Sequence, residues 1–179
     1  MFVLGVDLGQ ARDYTALAVV ERHGEEDHLR HLERLPLGTD YPSVVAHVID
    51  LRRQLPGCLL AVDATGVGRP VIDMLRGSGE QVMGVSITGG KTVAQGADGL
   101  VRVPKAQLVQ AVAGGLETGR LKVAQGLPLV DVLIRELRAF RASISAAGRT
   151  KFEGGKGEHD DVVLAVALAL WQPSRCAAP

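Results

Sequence analysis

Phe2-Val3-Leu4-Gly5-Val6-Asp7-Leu8-Gly9 decides how the rest of this chain is read. The apolar run from Phe2 to Val6 ends abruptly at Asp7, and a polar turn follows Gly9. A short unbroken run of this kind is a strand buried on both faces. The pattern returns at Cys58-Leu59-Leu60-Ala61-Val62, which ends at Asp63 and a turn containing Gly66. Asp7 and Asp63 therefore share one local setting, the carboxyl end of a central strand. In open α/β sheets the ligand crevice lies outside those ends. Adjacent parallel strands lie roughly 4.8 Å apart, close enough for the two carboxylates to share a cation. Two anions side by side are unfavourable without a metal or a proton between them.

Working outward, Tyr14–Glu21 reads as a second strand and Asp27–Leu35 as a third, with links short enough for an antiparallel meander. Tyr41–Gln54 carries Val44, Val45, Val48, Ile49 and Leu51 at helical spacing, and Pro56-Gly57 stops it. After the strand at 58–62, helical spacing runs from Pro70 to Leu75, and Gln81–Val85 is one more strand. Alternation of strand and helix here implies parallel pairing. Thr88–Val103 is Gly-rich and reads as a loop or irregular hairpin. Pro104 suits the first position of a helix over Lys105–Thr118. Leu121–Val123 reads as a short strand. Pro128–Phe140 reads as an amphipathic helix with Val130, Leu133, Ile134 and Leu137 on one side. Arg141–Gly157 reads as a hairpin around Ala147-Gly148, and Asp160–Trp171 as a last, Ala-rich helix able to lie close against a sheet. Three antiparallel strands, then parallel strands flanked by helices, form a mixed α/β sheet in the ribonuclease H-like order.

Composition narrows the class without naming a partner. Lys plus Arg and Asp plus Glu each number 20 in 179 residues, so net charge selects nothing, and a basic face can still hide in a neutral total. Cys58 and Cys176 are far apart, which argues against a disulfide framework or a metal cluster of cysteines. No apolar stretch reaches membrane-spanning length free of charge, and the first strand meets Asp7 too soon for a signal peptide. The expectation is a cytoplasmic protein with no membrane partner.

A third acidic element, Glu158-His159-Asp160-Asp161, stands at the start of the final helix. Carboxylates are favoured there by capping and by the helix dipole, so Asp160 also reads as an ordinary cap. Convergence of this element with Asp7 and Asp63 would suit phosphodiester hydrolysis. Hard carboxylate oxygens favour Mg²⁺ or Mn²⁺, and two ions roughly 3.5–4 Å apart activate water and stabilise the leaving oxygen. In that arrangement Asp7 bridges the ions, while Asp63 and either Asp160 or Asp161 hold one each. Asp13 is either an auxiliary group beside the ligands or a turn residue before Tyr14-Thr15. His159 is a base, a proton shuttle, a phosphate contact or a structural residue.

The ordered motifs resemble a known family. Gly5-Val6-Asp7-Leu8-Gly9 with Asp13-Tyr14-Thr15 is similar to the first nuclease motif of phage terminase large subunits, and Val62-Asp63-Ala64-Thr65-Gly66-Val67-Gly68 to their second acidic motif. Val103-Pro104-Lys105 with Leu108, Leu116-Glu117-Thr118-Gly119-Arg120-Leu121, Glu136-Leu137 and His159-Asp160-Asp161 resemble the remainder of that domain, in order. The resemblance implies a ribonuclease H-like nuclease domain over 1–172 with a flexible tail at 173–179. It also implies a two-metal endonuclease cutting concatemeric double-stranded DNA during genome packaging, with Asp7, Asp63, Asp160 and Asp161 as metal ligands and catalytic residues. Implied partners beside DNA are a separate packaging ATPase, a portal and a small terminase subunit, in the host cell cytoplasm. The packaging ATPase domain that precedes the nuclease in that family has no counterpart before Met1. No motor activity is therefore expected of this chain, whether it is an excised domain or a solitary one. The alternatives are a junction resolvase of the same fold, and a non-catalytic DNA-binding or assembly module that keeps it.

Gly84-Val85-Ser86-Ile87-Thr88-Gly89-Gly90-Lys91-Thr92 approaches a phosphate-binding loop, but Val85 stands where the first glycine is required. The expected role is a flexible loop touching DNA through Lys91. Arg135, Arg138, Arg141, Arg149, Lys151 and Lys156 are opposed only by Glu136 and Glu153. Such clusters are commonly solvated faces. Leading into the third acidic element, this one is expected with Lys105 to contact the DNA backbone, without reading sequence and with affinity that falls as salt rises.

Overall fold

The computed structural model describes residues 1–9, 13–66, 68–139, 141–144, 150–153 and 159–171. Strands β1 (Phe2–Asp7), β2 (Ala16–His23) and β3 (Glu26–Arg34) lead into helix α1 (Tyr41–Arg53). There follow β4 (Leu59–Asp63), α2 (Gly68–Gly77), β5 (Val82–Thr88), β6 (Ala94–Gln95), β7 (Val101–Pro104) and α3 (Lys105–Glu117). The chain continues through β8 (Leu121–Val123), α4 (Val130–Ala139), β9 (Arg141–Ile144), β10 (Thr150–Glu153) and α5 (Asp161–Leu170).

Eight strands form one sheet in the order β6-β7-β5-β4-β1-β2-β3-β8. β1, β2 and β3 pair antiparallel, while β1–β4, β4–β5 and β5–β7 pair parallel. This is the mixed sheet expected from the sequence. Two-residue alternation sorts its side chains into two cores. Leu4, Val6, Leu17, Val19, Leu60 and Val62 meet α1 and α2 on one face. Val3, Ala16, Ala18, Ala61 and Val85 meet α3, α4 and α5 on the other. Asp7 continues the parity of Val3 and Gly5, and Asp63 that of Ala61. Both carboxylates thus belong to the α5 face.

Every residue of α5 is buried, and one glycine sets how closely it lies. A Cβ on Gly5 would come 2.6 Å from the Ala169 nitrogen and nearer still to the Ala165 carbonyl. The bare glycine and the alanines let the helix rest directly on β1. The far end of α5 is held by buried Arg22, whose Nη2 donates to the Ala169 and Leu170 carbonyls at 3.1 and 2.7 Å. Those are orphan acceptors of a helix C-terminus. Asp27, fully buried, balances the charge, with Arg22 at 3.5 Å and Arg120 at 3.4 Å.

Several local expectations need correction. Of the two readings of the segment 88–103, the irregular hairpin holds and the loop does not. β5 continues to Thr88, and Val101–Pro104 is a parallel strand of the main sheet with β6 paired antiparallel beside it. The flanking glycines hide the short run around Val101. Pro104 ends β7 with φ −59° and ψ 130°, and Lys105 is the first helical residue. On α4, Ile134 is 40% exposed, whereas Glu136 is buried beside Leu133. β9 and β10 pair antiparallel as the expected hairpin strands, while its Ala147-Gly148 turn, Cys176 and the tail lie outside the described residues. No helix among the described residues is long and apolar enough to cross a membrane.

Candidate active site

The parallel strands point their carboxyl ends to one edge of the sheet, and the candidate residues collect there. Val6 is paired with Val62, and one step further along the register sets Asp7 beside Asp63. Both are buried, and their carboxyls hydrogen-bond to each other. Burial, with the charges of Asp63, Asp160 and Asp161, holds the Asp7 carboxyl well above the usual carboxylate range, against the opposing pull of Lys105. Burial also raises Asp63, which the Thr65 hydrogen bonds, Lys105 and the bond from Asp7 oppose. Both shifts disfavour two bare carboxylates side by side in this place.

Turns fix the two aspartates. The Thr65 amide donates to Asp63 Oδ1 at 2.8 Å, and the Ile87 amide donates to Thr65 Oγ1 at 2.9 Å, tying the turn after β4 to β5. Thr15 Oγ1 accepts from the Gly9 amide at 3.2 Å behind Asp7. The result is an open cleft of about 310 Å³ lined by Asp7, Asp13, Asp63, His159, Asp160 and Asp161, among others.

Asp160 occupies the cap position of α5 but makes no side-chain capping bond. Its Oδ2 accepts instead from Lys105 Nζ at 2.5 Å. The orphan amide of Val163 is satisfied from another helix, donating to Glu136 Oε2 at 2.9 Å. The simple-cap reading of Asp160 therefore does not describe this helix start. Asp161 points to Arg34, whose Nε and Nη2 donate to its two oxygens at 2.6 and 2.8 Å. The same Nη2 donates to Glu136 Oε1 at 2.6 Å. Burial pushes the Glu136 carboxyl up to about 7, with the charge of Asp161 adding to the effect and the Val163 amide and Arg34 opposing it. At the rim, His159 Nδ1 lies 3.4 Å from Asp13 Oδ1, and its ring meets Tyr14 edge to face at 5.6 Å. The Arg34 guanidinium lies over the Tyr14 ring, 4.7 Å from its centre.

Among the described residues, no three His, Cys, Asp or Glu side chains are gathered into a ready-made metal cage. Lys105 engages Asp160, and Arg34 engages Asp161. The donor set nonetheless suits a hard divalent cation, because the cleft offers carboxylate oxygens and no thiolates. Sequence reasoning misses Arg34 and Glu136 as site residues. It counts Glu136 as an offset to nearby basic groups and quotes it in a resembling motif without a role, although its place one turn from buried Leu133 is the available signal.

The expected DNA contacts are distributed unevenly. Lys105 meets the cleft through its ion pair with Asp160. Lys91 is exposed just beyond β5, past the strand's carboxyl end and so on the same sheet edge. Arg138 is exposed on α4. Arg141 and Lys151 belong to β9 and β10, and Arg149 and Lys156 lie outside the described residues. The stretch resembling a phosphate-binding loop is strand β5 followed by bends and β6, so the required helix is absent.

Known proteins share this fold. The terminase large subunits of Thermus phage G20c and Thermus virus P23-45 are each 24% identical over 172 residues, covering 96% of this chain. The chain spans about a third, 32%, of the length of those relatives. The crystal structure of the large terminase nuclease from thermophilic phage G20c superposes with a TM-score of 0.73, covering 94% of this chain and 80% of that one at 24% identity. The same nuclease with bound magnesium gives 0.73 and 24% identity, covering 95% and 80%. The human cytomegalovirus terminase nuclease domain, soaked with manganese and with an inhibitor bound, gives 0.55 at 13% identity, covering 93% and 81%. These likenesses establish the ribonuclease H-like fold. The sequence model of the Terminase RNaseH-like domain family matches residues 4–172, spanning both strand-end aspartates and the helix that faces them, and the chain belongs to that family.

Proposed function

We propose that this domain is a divalent-metal-dependent nuclease that cuts double-stranded DNA, serving as the cleaving module of a terminase large subunit during genome packaging. The observation that carries the reading is the placement of Asp7 and Asp63 at the ends of adjacent parallel strands, in one cleft with Asp160 and Asp161. Buried like-charged groups kept in contact oppose stability, and a cation site gives them a reason to be there. The solved G20c nuclease with bound magnesium, and others of its structures with cobalt and zinc, support a divalent ion. Mg²⁺ or Mn²⁺ in a two-ion arrangement is our assignment for this chain. Asp7, Asp63 and the Asp160–Asp161 pair would hold the ions.

Ions held there supply a more acidic attacking water and charge compensation for the leaving oxygen. The chain's own part is to ready the donors. Asp7 would present its carboxylate to the ion, and Lys105 would release Asp160 and offer its ammonium to a phosphate. His159, at the rim with Asp13, is placed to move a proton. Lys91 and Arg138 would meet the duplex backbone, and a packaging ATPase, portal or small terminase subunit would deliver it.

Supercoiled plasmid incubated with Mg²⁺, Mn²⁺ or chelator tests the reading. Nicked and linear products are expected with either metal, and none with chelator or with Asp7→Ala. A folded wild-type chain that leaves plasmid intact in Mn²⁺ would refute the enzyme and leave a DNA-binding module. Preference for four-way junctions over linear duplex would shift the assignment to a resolvase.

A further inference from the structure

We infer that Arg34 is the positioning residue of the acidic cleft: held by Glu136 and stacked on Tyr14, it aims the Asp161 carboxylate and pins the first turn of α5 opposite Asp7 and Asp63. The inference deepens the proposed metal-dependent function and rests on it.

Arg34 reaches this place through an irregularity in the sheet. Pairing of β2 with β3 slips between Val19 and Val20, where Val20 faces Leu29 and Val19 faces His31. The extra residue, Arg30, puts Leu29 and Leu32 on one face, and Arg34, two residues beyond Leu32, joins them. The bulge thereby turns a guanidinium from a strand two places away from β1 onto the α5 face.

From there the hydrogen bonds close a ring through three elements. Arg34 on β3 holds both oxygens of Asp161 and one oxygen of Glu136. Glu136 on α4 holds the Val163 amide with its other oxygen. Val163 and Asp161 lie two residues apart on α5, which completes the circuit. Asp160 gives the helix start no side-chain cap, so this ring anchors that turn. Arg22 does the equivalent work at the other end of α5, but through backbone carbonyls far from the cleft. At the Arg34 end the anchor grips a carboxylate of the cleft itself.

The geometry demands an arginine. A planar fork engages two carboxylates at once, which a lysine ammonium cannot reproduce in the same orientation. Partners that orient metal-binding groups typically change metal affinity by roughly 10–100-fold when lost.

Calorimetric titration of Mn²⁺ into wild type, Arg34→Lys, Arg34→Gln and Glu136→Gln, each checked for folding by circular dichroism, tests the inference without relying on cleavage. Arg34→Lys and Arg34→Gln are expected to bind Mn²⁺ about 10–100-fold more weakly while folded. Glu136→Gln, which leaves the Arg34–Asp161 pair, should lose less. A purely structural Arg34 would lower the melting temperature and leave the affinity of folded molecules unchanged. Wild-type affinity in folded Arg34→Lys overturns the inference alone. If neither Arg34 variant folds, wild-type affinity in Glu136→Gln also overturns it, and weakened affinity there supports it. Absence of Mn²⁺ binding by wild type overturns the metal-dependent function and this inference with it.

Discussion

Glu136→Gln should flatten the dependence of stability on pH by a calculable amount. Glu136 is 6% exposed, and burial lifts its carboxyl from an ordinary 4.5 to about 7. A tenfold change in proton affinity is worth about 1.4 kcal/mol, so the full rise corresponds to about 3 kcal/mol. Because the folded value is the higher one, the contribution is fully present below pH 4.5. It is lost as pH rises and is gone above about 7, where the folded protein must hold a buried carboxylate that the unfolded chain would expose to water. Glutamine mimics the protonated side chain and does not titrate. Urea unfolding of both proteins in chelator, from about pH 4.5 to 8, isolates the term as a difference. Wild type should lose about 3 kcal/mol relative to the variant across that window. A difference constant with pH would show that Arg34 and the Val163 amide already hold Glu136 ionised, and would refute the argument that burial dominates there.

Three further outcomes follow from the same geometry. Asp7→Asn should make the metal-free protein more stable than wild type at about pH 8, because the raised Asp7 carboxyl loses its stabilising contribution as pH rises. It should also remove the gain of about 2.7 kcal/mol expected for wild type at Mn²⁺ a hundredfold above its dissociation constant, read by thermal unfolding with and without metal. Gly5→Ala inserts a methyl against the Ala165 carbonyl and Ala169 nitrogen, and overpacking of this kind costs about 1–3 kcal/mol; denaturant melts measure it, and a neutral result would mean that α5 rides up without penalty. Lys105→Met removes the cation paired with Asp160 and should tighten Mn²⁺ binding by calorimetry while slowing plasmid cleavage. Unchanged affinity would show that the ammonium does not compete with the metal.

What the sequence disclosed depended on whether chemistry coincided with periodicity. Asp7 and Asp63 were legible because each interrupts an apolar run at the point where a buried strand must end. Their shared face followed from alternation once the strands were paired. The Asp160-Asp161 pair was legible through the all-apolar helix after it, but its two roles were not, because choosing between cap and cleft depends on Lys105 and Glu136, 55 and 27 residues away from their respective partners. Arg34 was invisible for a sharper reason. In an alternating strand its face follows from counting, and the extra residue at Arg30 shifts that count by one. Val101–Pro104 was lost among glycines that read as loop, although Leu100, Val101 and Val103 are all buried.

The division between Arg34 and Lys105 also separates the adjacent aspartates at the start of α5. The carboxyl groups of Asp7, Asp63, Asp160, Asp161 and Glu136 face these two cations, and burial and mutual repulsion raise the carboxyls of Asp7 and Glu136. Arg34 is fixed, since its side chain is 18% exposed, forked onto Asp161 and bonded to Glu136 as well. Lys105 is a flexible ammonium 26% exposed, holding Asp160 through its Oδ2. A divalent cation entering the cleft would take over the charge compensation that Lys105 gives Asp160. Under the proposed function, Asp160 therefore meets the metal as Lys105 gives way, whereas Asp161 meets it already aimed by Arg34.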